Sequence, residues 1–315
     1  MYGPKGWTFT EACFRNPSLP YCAQRDFVIK AGKGKGNEVA PPSTGKPTKD
    51  AAGIDWRFAD PYADTVAVLD SNKLPAAALA RSLINQLAAN QGLNATEAQS
   101  VFRALSAVNQ VALSVRDEKI VILVTGRPAD AILPALERDW KAVTLGGDAL
   151  LIGNSSAVEQ ASQRLTMDIG LGDLPLAAQH RTGGSEFWMA GSAELAGQEA
   201  MSAGVKRFEL MASMHDGLAS DTVFEFDGAP DANAIQSWLG TLGGARLDGT
   251  AVHMTMSMNA EDTRQNLSKI AVSSLGQHLG TIVKSARYIP VRDTSATVHT
   301  KPVIYGLDGG PQEGR

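Results

Sequence analysis

The chain has 315 residues, of which 43% are hydrophobic and 20% are charged. This length and composition are sufficient for two ordinary hydrophobic cores and exclude a wholly disordered protein. The net charge of -4 provides no field that would attract nucleic acid or an anionic membrane surface. No apolar run approaches the roughly 20 residues that a bilayer span requires. We therefore predict a soluble protein with no membrane span and no nucleic-acid partner.

The N-terminal head, residues 1–30, contains the two cysteines of the chain, Cys13 and Cys22. They flank a turn-rich segment with Pro17 and Pro20, which would hold the ends of the loop near one another. We predict a local disulfide, and hence an oxidising, extracytoplasmic location, periplasmic or secreted. Two unpaired thiols are the alternative. A metal site lacks further ligands nearby.

Residues 1–10 show no charged segment followed by an apolar one, so no signal peptide is visible. If the protein is exported, we expect its signal to lie outside this sequence. A linker rich in Gly, Pro and Lys, residues 31–53, follows the head.

The first globular unit is predicted at residues 54–167. A strand over 65–69 precedes a helix with apolar residues at Leu79, Leu83 and Leu87. A second helix opens with the capping-box pattern of Asn94 and Glu97, and a hairpin follows over 111–124.

An internal repeat is the most informative feature of the sequence. A shift of 102 positions aligns residues 121–152 with 223–254 without a gap. Gly126 then falls on Gly228, and Leu136 falls on Trp238. We predict an inter-unit linker at 168–184, a second unit at 185–288 and an extended C-terminal tail at 289–315. The predicted fold class is α+β, with two tandem ferredoxin-like units between extended tails. Each unit would have a mixed or antiparallel sheet with helices on one face.

Catalytic constellations are not visible in the sequence. The five histidines are scattered, and no serine elbow or metal-ligand spacing occurs. We therefore assign no catalytic residue, no metal ligand and no cofactor, and no cofactor-binding residue can be named. Two sets of side chains remain as binding candidates with core packing as the alternative. They are the aromatic residues Trp56, Trp188, Trp238, Phe187 and Phe226, and the methionines Met211, Met214, Met254, Met256 and Met258.

Both tails resemble segments of uncharacterised exported bacterial proteins. The residues that carry this resemblance are Ala12 to Cys22 with residues 26–30, and residues 304–311 near the C-terminus. The resemblance implies export and supplies no activity.

Two hypotheses about function follow. The first is a non-enzymatic, extracytoplasmic binding or structural protein that contacts a protein partner through the C-terminal tail or the N-terminal head. Residues 303–305, Val-Ile-Tyr, would then add a strand to the protein's own sheet or to a neighbour's. The alternative is a ligand-binding protein or enzyme with a site in the cleft between the units. That site would bring His180 or Arg181 to an acidic residue at a strand end.

Overall fold

The computed structural model describes residues 49–50, 53–77, 79–126, 136–146, 148–167, 169–181, 185–226, 228, 235, 238, 245–272 and 274–289. The predicted head with Cys13 and Cys22, most of the predicted linker, and the tail beyond Ile289 lie outside the described residues.

A single antiparallel sheet of ten strands forms the centre of the described structure. The strands are β1 (Thr65–Asp70), β2 (Gln110–Arg116), β3 (Lys119–Thr125), β4 (Trp140–Leu145), β5 (Ala149–Asn154), β6 (Phe187–Ser192), β7 (Val205–Ser213), β8 (Gly217–Phe226), β9 (Ala245–Asp248) and β10 (Ala251–Asn259). Their spatial order is β4-β5-β3-β2-β1-β6-β7-β8-β10-β9. The predicted class, α+β with an antiparallel sheet, is therefore confirmed.

The two predicted units share this sheet, because β1 and β6 pair directly. Their antiparallel register runs from Thr65 opposite Gly191 to Leu69 opposite Phe187. Strands β1 to β5 lie within residues 54–167 and strands β6 to β10 lie within residues 185–288. The backbone hydrogen bonds of the sheet thus continue across the junction between the halves.

The described helices follow or connect the strands. They are α1 (Ala80–Asn90), α2 (Ala95–Ser106), α3 (Ser155–Thr166), α4 (Asp173–His180), α5 (Ala193–Ala196), α6 (Gln198–Ser202), α7 (Ala260–Val272) and α8 (Ser274–Ala286), with 3-10 helices at Trp56–Phe58 and Ser71–Ala76.

Two hydrophobic cores lie on opposite faces of the first half of the sheet. Strand β1 contributes Ala67 and Leu69 to one core, together with α1, α2, α7 and α8. It contributes Val66 and Val68 to the other, together with Trp56, α3 and α4. The prediction of helices on one face is therefore wrong for this half. The physical reason is the nearly continuous apolar run along β1 and β3, which is typical of strands covered on both faces.

Beyond β6, which α4 covers on the second face, the second half of the sheet has one described helical layer. Burial alternates residue by residue along β7 and β8, which is the pattern of a sheet with one packed face and one open face. The packed residues, Phe208, Leu210, Phe224 and Phe226, belong to the core that contains α1 and α8. The first core therefore extends beneath both halves.

Candidate binding groove

Helices α1 and α2 form a hairpin whose geometry is fixed by a helix cap. The Oδ1 atom of Asn94 accepts hydrogen bonds from the backbone N–H groups of Thr96 and Glu97, each at 3.0 Å. The Glu97 carboxylate in turn accepts the backbone N–H of Asn94 at 2.7 Å. This is the reciprocal arrangement that the sequence predicted, and it stops the chain from extending α1 into α2.

A groove of 640 Å³ lies on the outer side of this hairpin. Helix α1 contributes residues 81, 85 and 89, which are one turn apart and share one face. The lining residues of helix α2 recur at intervals of three and four positions, so they also share one face of their helix. The lining residues are Arg81, Asn85, Ala89, Leu93, Asn94, Ala95, Ala98, Gln99, Phe102 and Arg103.

The floor of the groove is apolar and its walls donate hydrogen bonds. Ala98 is buried, and Leu93 and Phe102 are half-buried against the core below. The amides of Asn85 and Gln99 are exposed above them. The guanidinium of Arg81 lies 4.9 Å from the centre of the Phe102 ring, which holds one cation over the apolar floor.

The charge of the groove is positive, although the chain as a whole is acidic. None of the ten lining residues is Asp or Glu, while the chain has 33 of them. Arg81 and Arg103 form no ion pair with any other residue that the structure describes. Two guanidinium groups thus remain available for an anionic group from another molecule, which they can bind through paired hydrogen bonds.

Arg81 and Arg103 belong to no motif that was predicted from the sequence. The signal was present, because the polar face of α1 carries Arg81 and no acidic residue at all. Helix α2 carries one acidic residue, Glu97, which the cap uses. Two successive helices each carry a basic residue that has no acidic neighbour one turn away. This pattern indicates cations that the helices themselves do not neutralise.

The sequence predicts that a site in the cleft between the units would bring His180 or Arg181 to an acidic residue at a strand end. The structure places Arg181 elsewhere. Arg181 does meet an acidic residue, but this is Asp50, which precedes the first strand. The Asp50 carboxylate also accepts hydrogen bonds from Trp56 Nε1 at 2.8 Å and from the Ile54 backbone at 2.9 Å. The Arg181 and Asp50 side chains are only 9% and 2% exposed. This pair is packed in the core beside Trp56, and Arg181 does not line the groove between α1 and α2.

The aromatic candidates divide between the two cores. The ring centres of Trp56 and Trp188 are 6.5 Å apart in the core under α3 and α4. The ring centres of Trp238 and Phe224 are 4.8 Å apart in the opposite core. They therefore pack as core residues and do not line one pocket.

The methionine candidates are mainly core residues as well. Met214 is buried, and Met254 and Met258 pack against the core that contains α8. Met256 is exposed. Met211 lies on the opposite face, because its neighbours Leu210 and Ala212 belong to that core.

Two further results concern the described part of the chain as a whole. It contains no cluster of three His, Cys, Asp or Glu side chains with the geometry of a metal site. It also contains no helix with the length and apolar character needed to cross a membrane.

No protein-family model matches the chain, and no curated protein matches it. Among solved structures, the chain is similar to crystal form III of TP0453, with a TM-score of 0.47 and 11% identity over 69% of this chain and 99% of that chain. Crystal form I of TP0453 gives a TM-score of 0.45 and 12% identity over 70% and 98% of the two chains. Form IV gives 0.44 and 11% over 68% and 96%. These TM-scores are too low to support an argument about function.

Proposed function

We propose that this protein is a non-enzymatic, extracytoplasmic binding protein that holds an acidic segment of a protein partner in the groove between α1 and α2. The observation that carries the proposal is the composition of the groove, with Arg81 and Arg103 unpaired among the described residues and no carboxylate in its lining. Carboxylates of a partner would accept hydrogen bonds from the guanidinium groups and from the exposed side-chain amides.

The shape of the groove favours a helical segment over a small molecule. Its walls are exposed helix faces with residues repeating every turn, and small-molecule sites normally bury most of the ligand. A partner helix with apolar residues at i, i+3 and i+4 would place them on Leu93, Ala98 and Phe102. Acidic residues at its margins would then reach Arg81 and Arg103.

The junction between the halves supports this proposal over a site in a cleft. Strands β1 and β6 are paired there, and Val66, Val68, Trp188 and Ala190 are buried on the face under α4. Arg181 is used in a buried ion pair with Asp50. We therefore propose the groove on the outer side of α1 and α2 as the functional surface.

The two halves are, on this proposal, tandem copies of one ferredoxin-like unit. The strand order supports this, because β1 and β6 are central neighbours and the remaining strands follow in corresponding order to each edge. The shift of 102 positions places Leu150 on Val252 and Ile152 on Met254, and all four face the same core. Each half has five strands, so the copies would contain one strand more than the ferredoxin-like pattern.

Export remains part of the proposal. It rests on the predicted disulfide between Cys13 and Cys22 and on the resemblance of the tails to exported bacterial proteins. The two cysteines and the tail segments that carry the resemblance lie outside the described residues. Intact mass of alkylated protein from its native source, with and without reductant, tests the disulfide directly.

Binding is tested with a fluorescent peptide in which Leu and Glu recur at helical spacing, and with a counterpart that has Lys in place of each Glu. We expect the acidic peptide to bind the full chain and the basic one not to bind. The double variant Arg81→Gln and Arg103→Gln should weaken binding at least about tenfold, because each charge-assisted hydrogen bond contributes about 1.5–3 kcal/mol.

The matched control is Lys119→Gln, which removes an exposed cation at the β2–β3 turn, away from the groove. Its affinity for the acidic peptide should equal that of the unmodified chain. Equal weakening by Lys119→Gln would show that only overall charge matters and would reject the groove as the site.

A further inference from the structure

The sheet has two edges of different character. At one edge, β9 has four residues, and Arg246, Leu247 and Asp248 are exposed. Short, charged edge strands resist pairing with further strands. At the other edge, β4 has six residues and pairs with β5 alone among the described residues.

Strand β4 has apolar side chains on both faces. Trp140 and Ala142 pack against the core that contains α1 and α2, whereas Val143 and Leu145 pack against the core that contains α3. Its one charged residue, Lys141, forms an ion pair with Glu159 of α3 at 3.0 Å. A strand of this kind, with an unpaired backbone edge among the described residues, is a template for a further strand.

Helix α8 ends beside the start of β4. The rings of Trp140 and Tyr288 are 4.5 Å apart, and Arg287 donates a hydrogen bond to Glu137, just before β4. Ile289, the last described residue, is buried. The C-terminal tail therefore starts at this edge of the sheet and not at the edge formed by β9.

We propose that residues 303–307 of this chain add to the free edge of β4 as an antiparallel strand. The 13 residues 290–302 can extend to about 43 Å, which exceeds twice the roughly 20 Å length of a six-residue strand. The tail can therefore pass along β4 and return. Residues 303–305, Val-Ile-Tyr, have high strand propensity, and Pro302 immediately precedes the proposed strand, where a missing N–H is tolerated. This inference is independent of the α1–α2 groove.

The test is hydrogen exchange of the β4 backbone in the full chain and in a chain that ends at Ile289. We expect the amides of residues 140–145 that point away from β5 to exchange at least about tenfold faster after truncation, because a paired edge is protected. The amides of β9 should be unchanged. The variant Ile304→Pro, which removes one backbone donor, should reproduce the effect of truncation, whereas Thr294→Pro should not.

The outcomes separate the possible occupants of the edge. A monomeric full chain with faster β4 exchange after truncation supports docking within one chain. A dimer that becomes a monomer on truncation would assign the edge to the tail of a second copy and would overturn the proposal. Unchanged β4 exchange in the truncated chain would also overturn it.

Discussion

At the residue scale, the Arg181–Asp50 pair places two charges in the core beside the Trp56 ring. Asp50 is satisfied by an indole N–H, a backbone N–H and the guanidinium. Charges buried to this extent stabilise a fold only when every partner is present. The pair connects the segment before the first strand to the end of α4, so it fixes the chain at both points.

We expect Asp50→Ala to lower the free energy of unfolding by about 3–5 kcal/mol, because it leaves the Arg181 charge buried without its partner. Adding Arg181→Met should recover part of that loss, since the uncompensated charge is then removed. The exposed pair of Lys141 and Glu159 provides the control, and Glu159→Ala should cost at most about 1 kcal/mol. Urea unfolding measures all of these variants. Equal costs for Asp50→Ala and Glu159→Ala would contradict this account.

The sequence predicted some individual residues well because their signals are local. The cap formed by Asn94 and Glu97 depends on residues three positions apart, and it is confirmed. The Arg181–Asp50 pair joins residues far apart in sequence, and no local pattern marks it. Arg81 and Arg103 became a candidate site only when the hairpin placed two helix faces side by side.

At the element scale, α3 and α7 follow corresponding strands but pack on opposite faces of the sheet. The shift of 102 places Asn154, the end of β5, on Met256, whereas β10 continues three residues further to Asn259. Side chains alternate along a strand, so an odd number of added residues turns the next element to the other face. The alternation of Met254, Met256 and Met258 does not show to which face the next helix turns, so the sequence could not predict this difference in packing.

Two other elements differed from the sequence-based expectation. The segment before α3 forms the hairpin of β4 and β5, which the sequence analysis did not resolve into two strands. The apolar stripe that runs from Leu267 to Ile282 predicts one long helix, whereas the structure divides it into α7 and α8. At the division Gly276 approaches the preceding helix so closely that a Cβ would lie 2.3 Å from the Ile270 carbonyl oxygen. Close backbone approaches of this kind depend on tertiary packing and leave no periodic signal.

The contact between α8 and β4 gives a pH-dependent prediction. Burial raises the pKa of Tyr288 to about 12, above its ordinary value of 10.0. The unfolded chain therefore loses this proton first, so the contribution of Tyr288 to stability is complete below pH 10 and decreases as the pH rises towards 12.

We expect the free energy of unfolding to fall more steeply between pH 10 and 12 in the unmodified chain than in Tyr288→Phe, by at most roughly 1.4 kcal/mol per pH unit. Tyr62→Phe, at a residue that is 48% exposed, is the matched control and should follow the unmodified chain. Urea unfolding at several alkaline pH values measures the difference. Parallel pH profiles for Tyr288→Phe and the unmodified chain would contradict the assigned burial.

At the scale of the whole molecule, the β1–β6 pairing and the shared core predict that the two halves unfold together. Val252→Ala in β10 removes contacts from a fully buried side chain in the second half. We expect this variant to lower the urea midpoint of β3 and of β8 equally, as measured by hydrogen exchange of each strand. A lower midpoint for β8 alone would show that the halves are independent domains.

The central claim is that the positive groove between α1 and α2 selects an acidic partner, and exchanging its charge tests this most directly. The double variant Arg81→Glu and Arg103→Glu should lose the acidic peptide and acquire affinity for the basic one, with both interactions weakening as salt is raised. A folded variant that still binds the acidic peptide as tightly as the unmodified chain would contradict the claim.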